Sequence, residues 1–487
     1  MIKENSNVAE ISRETLKEVA KLVWNNEPIE KSNDLPNLLI PGPNAIHRAS
    51  LNQEHEIIKQ KINLAYGRNP LSGTPTDKIV HVVEAACEKC PTTRYVVTNN
   101  CQKCINRPCL SSCRFDAIHM DLHKSKIDPD KCKKCGMCEK ACPYGAIVYL
   151  DRPCKKHCPV GAITMDEFGV VKIDDKKCIQ CGICVNSCPF GAVSDKSFLV
   201  DVIDKIKANK RVVGMIAPAL EGQFGPGISM GSLKDAFKKV GFDDVVEVAL
   251  GADMTAYYEA QEWVEAYNEG KKMTTSCCPA FVNMLNIHYP TLLDNMSSTV
   301  SPMCALSRYL KSQDPDVITV FIGPCIAKKS ESLDPSLDGN ADYVLTINEA
   351  LALLESKDVT FEVDKENLYQ EGSVYAKRFC NSGGVTKAVV QAFTELNENI
   401  TPQVSICNGA AECKKALALL KSKRLPEDFI EGMVCIGGCV SGPVSYVPEM
   451  AAKKDKNDLI NKADKRNIKE NLDKYDMTKF SMHRSEV

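Results

Sequence analysis

The chain has 487 residues, enough for two or three domains with a full buried core. Its 61 Lys+Arg nearly balance 63 Asp+Glu, which excludes a globally basic nucleic-acid binder. Its 25 cysteines are the unusual number. Met1–Ser6 is polar and no apolar h-region follows it. No apolar run is long enough for a membrane span, so a cytoplasmic chain is expected. In that compartment thiols stay reduced, and dense cysteine argues for metal over disulfides.

Residues 1–78 carry no metal spacing. Ile11–Trp24 has helical periodicity, with Leu16, Val19, Leu22 and Val23 on one side and Ser12 as the expected cap. A turn at 40–44 precedes a second expected helix, Glu54–Tyr66. This segment reads as a helical piece packed on the rest.

Residues 79–196 are short-spaced, Pro/Gly-punctuated and full of cysteine. Cys132-x2-Cys135-x2-Cys138-x3-Cys142-Pro143 and Cys178-x2-Cys181-x2-Cys184-x3-Cys188-Pro189 are complete bacterial ferredoxin runs. In such runs three cysteines bind one 4Fe–4S cluster and the fourth binds its partner. Cys101-x2-Cys104-x4-Cys109-x3-Cys113 is the same run with a longer middle gap. The crossing rule then groups Cys101, Cys104, Cys109 and Cys142, and separately Cys132, Cys135, Cys138 and Cys113. The last run needs a partner. Cys154-x3-Cys158-Pro159 supplies the end of one, and the orphan pair Cys87-x2-Cys90 lies upstream. A third cluster on Cys178, Cys181, Cys184 and Cys158 and a fourth on Cys87, Cys90, Cys154 and Cys188 use sixteen cysteines with none left over. For the incomplete pieces, a zinc site or degenerate remnants are the alternatives.

From 197 to 450 the pattern becomes α/β. Strands are expected at Arg211–Ala217, Val245–Leu250 and Val317–Ile322, and helices at Ser232–Val240, Met254–Tyr267, Val385–Leu396 and Cys413–Lys423. The alternation predicts mostly parallel sheets flanked by helices, preceded by a ferredoxin-like α+β unit. Sites in such folds lie in loops beyond strand carboxyl ends. Residues 451–487 read as a polar tail.

Nine cysteines remain. Cys278, Cys325, Cys435 and Cys439 sit in Gly/Pro-rich loops far apart in sequence, which suits a buried cluster assembled from several loops. Gly437-Gly438 lets backbone approach a bulky inorganic group. The motifs TSCCP (Thr275–Pro279), PCxxKxxE (Pro324–Glu331) and CxGGC (Cys435–Cys439) resemble the three signatures of FeFe-hydrogenases, over roughly residues 197–450. The ferredoxin-like segment is similar to that of the modular members.

The resemblance implies an H-cluster, a 4Fe–4S unit bridged by one cysteine to a diiron centre with CO, cyanide and dithiolate ligands, installed by dedicated maturases. Cys278, Cys325, Cys435 and Cys439 would bind the cubane, with Cys439 bridging, and Lys328 would hydrogen-bond a cyanide. Cys277 would be the first proton carrier, followed by Glu259, Ser297 and Glu262; Met433 also matches. Departures are Phe281 for Trp, Gly323 for Met, Met303-Cys304 after Ser301-Pro302, the CVSGP ending, and Ala266 for an outer-pathway Arg. They point to a divergent, group-B-like subgroup. The implied activity is 2 H+ + 2 e− ⇌ H2, with a ferredoxin or similar carrier as partner. Lys124, Lys126, Lys131, Lys133, Lys134 and Lys140 would steer an acidic carrier or simply offset cluster charge. Cys304 would be a near-cluster thiol or, like Cys380, Cys407 and Cys413, a buried small hydrophobe. The other readings are a Nar-like iron–sulfur assembly protein without the diiron unit, and a hydrogen sensor.

Overall fold

A computed structural model describes residues 7–485 apart from 89, 91–93, 365, 367, 397–399 and 401. Pro91 and both chain ends (1–6, 486–487) of the expected segments lie outside the described residues.

The first helix, Asn7–Trp24, begins before Ser12. Ser12 is therefore no cap: its hydroxyl accepts a 2.8 Å hydrogen bond from the buried Lys61 ammonium. The second long helix, Leu51–Ala65, is capped by Ser50, whose side chain accepts from the Gln53 N–H. The two pack through Val19, Ile58 and Ile62, and the first also lies on helix Ile347–Glu355.

The cysteine-rich segment is built from one local device used four times. The last cysteine of each run accepts a backbone N–H four residues on: Ala117 to Cys113, Ala146 to Cys142, Ala162 to Cys158 and Ala192 to Cys188, at 3.2–3.4 Å. Each bond leads into a short strand, Ile118–Met120, Ile147–Leu150, Ile163–Met165 or Val193–Asp195. Strands Arg94–Val97 and Ile147–Leu150 pair antiparallel, as do Val80–Val82 and Val193–Asp195.

Two parallel sheets follow. The first has the order Asp244–Glu247, Val212–Ile216, Ile318–Ile322, Tyr343–Leu345. The second joins Met273–Thr274, Phe429–Met433 and Val404–Asn408. The central strands Val212–Ile216, Ile318–Ile322 and Phe429–Met433 are buried throughout or nearly so, as strands covered by helices on both faces require, whereas the edge strand Val404–Asn408 buries only Cys407. The apolar run expected as strand Val245–Leu250 is instead a strand to Glu247 and then a helix, Ala249–Asn268. The first half of that helix is buried all round, so periodicity could not separate it from a strand. Its Gly251 passes so close to helix Pro302–Gln313 that a Cβ would lie 2.1 Å from the Pro302 carbonyl oxygen.

The stretch from 451, expected as a polar tail, is partly packed structure. Helix Glu449–Lys462 buries Lys456, whose ammonium meets Glu221 at 3.3 Å. Glu221 also pairs with the buried Lys377 at 2.9 Å, and Lys377 with Glu247 at 2.6 Å. Paired charge inside the molecule is invisible in a composition that looks solvated. No helix among the described residues is long and apolar enough to cross a membrane.

Candidate active site

All three cysteine motifs lie just beyond parallel strands. Strand Met273–Thr274 delivers Thr275–Cys278, strand Ile318–Ile322 delivers Gly323–Cys325, and strand Phe429–Met433 delivers Cys435. The Thr275 N–H bonds the Ile430 carbonyl (2.9 Å), and the Gly432 N–H bonds the Thr275 hydroxyl (3.0 Å). The first and third motifs are thereby held in fixed register. The Phe281 ring covers Gly432 so closely that a Cβ there would fall 2.4 Å from it. Gly438, at φ +85°, would carry a Cβ only 2.5 Å from the Cys380 carbonyl oxygen. Only glycine lets that turn bring Cys439 in, where its N–H bonds the same carbonyl at 2.7 Å.

The loops enclose one mostly apolar cavity with about 890 Å³ of atom-free space, lined by Cys277, Cys278, Cys325, Cys435, Cys439 and Lys328 among others. Met433 and Met303 complete its wall, while Cys304 is not among its lining residues. Burial pushes the Cys325 thiol up to about 11 and those of Cys435 and Cys439 well above the usual value. Such thiols become thiolates when a cationic metal group neutralises them. Lys328 donates to the Ser301 hydroxyl (2.8 Å) and to Glu331 (2.5 Å). Burial disfavours its ammonium, but Glu331 more than offsets this and raises its pKa. A donor set of four thiols around an apolar cavity, with one buried cation, fits an anionic iron–sulfur group.

Beside the cavity, Cys277 is buried, and burial followed by the charge of Glu259 keeps its thiol protonated. Glu259 is fully buried, and among the described residues neither carboxyl oxygen finds a hydrogen bond of ordinary geometry. Burial, then repulsion from Glu262, pushes it up to about 8; the Ser276 N–H and Ser297 hydroxyl lie near enough to counter part of this. Ser297 donates to Glu262 at 2.7 Å, as do the Ser298 N–H (2.7 Å) and the Thr299 hydroxyl (2.9 Å). Glu262 is half-buried at the outer end. The order from cavity to surface is therefore Cys277, Glu259, Ser297, Glu262.

The accessory cysteines gather in four groups. Cys101, Cys104, Cys109 and Cys142 line one cavity of about 380 Å³, and Cys113, Cys132, Cys135 and Cys138 another of about 310 Å³. Both are less than half the size of the catalytic cavity by the same measure. Cys181 and Cys184 lie in the field of Cys178 and Cys158. Cys154 lies in that of Cys188, Cys90 and Cys87 and is pushed up to about 11, chiefly by burial. Among the described residues no group of three or more His, Cys, Asp or Glu could hold a single metal ion. The third group reaches the large cavity directly, since Cys181 is among its lining residues. Cys184 feels Cys154 and so stands next to the fourth group.

Spacing gave no sign of Cys380, which lines the catalytic cavity. Nor did it mark Ser301 and Glu331 as the partners of Lys328, although Glu331 stands one helical turn after it. Cys407 and Cys413 lie in the core packed against helix Pro279–His288, and Ala266 packs on the main core.

Residues 210–443 match the C-terminal domain family of the iron-only hydrogenase large subunit. Residues 125–148 match a 4Fe–4S binding domain and 152–192 a 4Fe–4S dicluster domain. The chain is 30% identical over 375 residues to the periplasmic Fe hydrogenase large subunit of Nitratidesulfovibrio vulgaris, covering 66% of this chain and 86% of that protein. It is 29% identical over 392 residues to iron hydrogenase 1 of Clostridium pasteurianum, covering 69% and 67%. A probable cytosolic Fe–S cluster assembly factor of Brugia malayi is 23% identical over 249 residues, 42% of this chain and 55% of that one. A solved FeFe-hydrogenase structure aligns at 21% identity with a TM-score of 0.46, covering 57% of this chain and 92% of that one.

Proposed function

Because the chain belongs to the iron-only hydrogenase family, we propose that it interconverts protons, electrons and molecular hydrogen. The carrying observation is Glu259, a fully buried carboxyl for which no well-formed hydrogen bond is found among the described residues, set beside the thiol of Cys277. A structural iron–sulfur site has no use for an unpaired acid of that kind, which costs stability. A proton path does.

Cys278, Cys325, Cys435 and Cys439 would hold the H-cluster in this reading. When bound, the cluster supplies the centre at which two protons and two electrons combine or hydrogen is split. Cys277 holds a proton at Sγ, next to that centre. Glu259 passes protons between Cys277 and Ser297 because, pushed up to about 8, it is poised near neutral pH to take and release them. Glu262, anchored by four donor groups, receives them from Ser297. Lys328, kept cationic by Glu331, presents positive charge to the anionic ligands of the cluster. Apolar walls around the cavity keep bulk water from short-circuiting the path.

The sixteen accessory cysteines would hold four 4Fe–4S clusters, which would supply a path for electrons. The proximity of Cys181 to Cys278 makes the third group the last station before the active site, and the fourth group adjoins it. The second group, with Cys135 exposed among Lys131, Lys133 and Lys134, is where a small acidic carrier such as a ferredoxin would dock. The four segments 1–78, 79–196, 197–450 and 451–487, the need for maturases, the group-B-like placement and a cytoplasmic location belong to the same proposal.

Infrared spectroscopy of the anaerobic, co-matured protein tests it. Sharp CO and cyanide bands that respond to hydrogen are the expected outcome. A silent spectrum from matured protein with intact cubanes would favour an assembly protein, the role named for the Brugia malayi relative.

A further inference from the structure

The proposed proton path ends at Glu262, which is only half exposed, and the next turn of its helix offers Ala266, a residue without a titratable group. The group that meets solvent there comes from the far end of the chain. His483 is exposed, and its Nδ1 lies 2.8 Å from the Ser298 hydroxyl oxygen. The N–H of the same serine donates to Glu262 at 2.7 Å. One residue thus touches both the carboxylate and the imidazole.

The segment around His483 has little regular structure, yet it is held at many points. Thr299 and His483 form an antiparallel bridge. The Val300 N–H bonds the Met482 carbonyl, and the Arg484 N–H bonds the Ser298 carbonyl, both at 2.8 Å. Arg308 clamps the Ser481 and His483 carbonyls at 2.7 and 2.8 Å. Met482 is buried, and Arg484 reaches the Ser276 carbonyl at 3.3 Å and Asp334 at 3.9 Å. The Tyr258 ring stands edge-on to the imidazole at 6.3 Å. The charged or titratable groups facing His483 are therefore Glu262, Tyr258, Arg308, Arg484 and Asp334. So much anchoring for one exposed imidazole fixes it at the outer end of the path.

We propose that His483 is the proton-exchange residue between solvent and this path, an inference that rests on the relay read above. Imidazole can accept a proton at one nitrogen while releasing another from the second, near neutral pH. In the inward direction Nε2 takes a proton from water or buffer, and Nδ1–H gives its own to the Ser298 oxygen. The Ser298 hydroxyl proton crosses a single water to the Glu262 carboxylate. One proton enters, one arrives at Glu262, and no electrons move; a turn of the hydroxyl restores Ser298, while His483, left as its Nε2–H tautomer, regains the Nδ1–H form by exchanging one proton for another with water. Hydrogen oxidation runs the same transfers backwards.

The test uses the full, matured chain with His483→Gln, which keeps a hydrogen-bonding group toward Ser298 but cannot titrate, alongside His483→Ala. Hydrogen evolution is followed from about pH 6 to about pH 9 in weak buffer, with and without added imidazole. Both variants should lose about tenfold near neutral pH, imidazole should restore most of the loss, and the CO and cyanide bands should stay put. Independently of turnover, histidine nitrogen NMR of the chain purified without the diiron unit should show the His483 Nδ1 signal, set by its hydrogen bond to the Ser298 hydroxyl, moving in Ser298→Ala. A wild-type rate in His483→Gln, a loss that imidazole does not restore, or an unmoved Nδ1 signal would overturn the proposal. Turnover that survives Cys277→Ser would instead overturn the relay itself. A dead Cys277→Ser beside a fully active His483→Gln would sink the outer step alone.

Discussion

Gly182 lies against Ile326 so tightly that a Cβ on it would sit 2.7 Å from the Ile326 Cδ1 and 3.1 Å from Pro443. Gly182, at φ +74°, opens the short helix that carries Cys184, and Ile326 follows Cys325. The accessory segment and the wall of the large cysteine-lined cavity are thus in close contact, at the point where the proposed electron path crosses.

Gly182→Val should therefore push the two apart. Overpacking and the left-handed backbone together should cost about 2–4 kcal/mol, seen as a lower urea midpoint. Delivery of electrons from a protein carrier should slow more than hydrogen–deuterium exchange at the active site, which needs no accessory cluster. Equal slowing of both would show that the contact is merely structural.

Glu259→Gln should change stability and turnover in opposite directions above neutral pH. The folded-state value is raised from 4.5 to about 8. The native chain thus keeps a proton that the unfolded chain sheds, and the stability this contributes is present below the lower value and is lost as pH rises through the upper one. Over that window the loss is on the order of 4 kcal/mol. The glutamine variant should have a flatter stability curve and be the more stable protein near pH 9, while its turnover falls roughly 10²–10⁴-fold. Unfolding followed at several pH values checks the first part; an unchanged slope would show that Glu259 is ionised in the folded chain.

Lys329 is fully buried and bonds Asp195 and Glu349, both at 2.7 Å. Asp195 ends the last accessory strand, and Glu349 belongs to helix Ile347–Glu355. Lys329→Met would leave two carboxylates facing each other without a cation, at a cost of about 3–5 kcal/mol. Calorimetry of the loaded protein should show a large drop in Tm.

Cys87→Ala should lower bound iron by about one cubane, four irons, leaving the other clusters loaded. Metal analysis with Mössbauer quantification reads this directly. Unchanged iron would mean that Cys87 is not a ligand.

Much of this was legible in the sequence because cluster chemistry imposes rigid spacing. The crossing rule applied to the runs from Cys101 to Cys142 yields the same two sets of four that ring the two smaller cavities. The α/β alternation was legible for the same local reason, since strands such as Ile318–Ile322 are short apolar runs bounded by Gly and Pro. Contacts made by distant parts of the chain were not. Nothing in residues 449–485 announces that Lys456 pairs with Glu221 or that His483 meets Ser298, because both depend on the tertiary path. Cys380 carries no spacing at all, and its place in the cavity wall follows from the turn at Gly438. The start of helix Ala249–Asn268 was misread because a helix buried on every side loses the polar face that gives it a period.

The pairing of Arg94–Val97 with Ile147–Leu150 sets Arg94 opposite Leu150. The chain thus leaves the region of Cys90 and returns to Arg152 through neighbouring points, about one strand spacing apart. Between those points lie both smaller cavities with their eight cysteines. In the wiring proposed above, Cys87-x2-Cys90 and Cys154-x3-Cys158-Pro159 are two halves of a single run, interrupted by an insert whose ends meet. Excising residues 94–150 would thus remove two groups of four cysteines at once and leave the ends of the flanking run side by side.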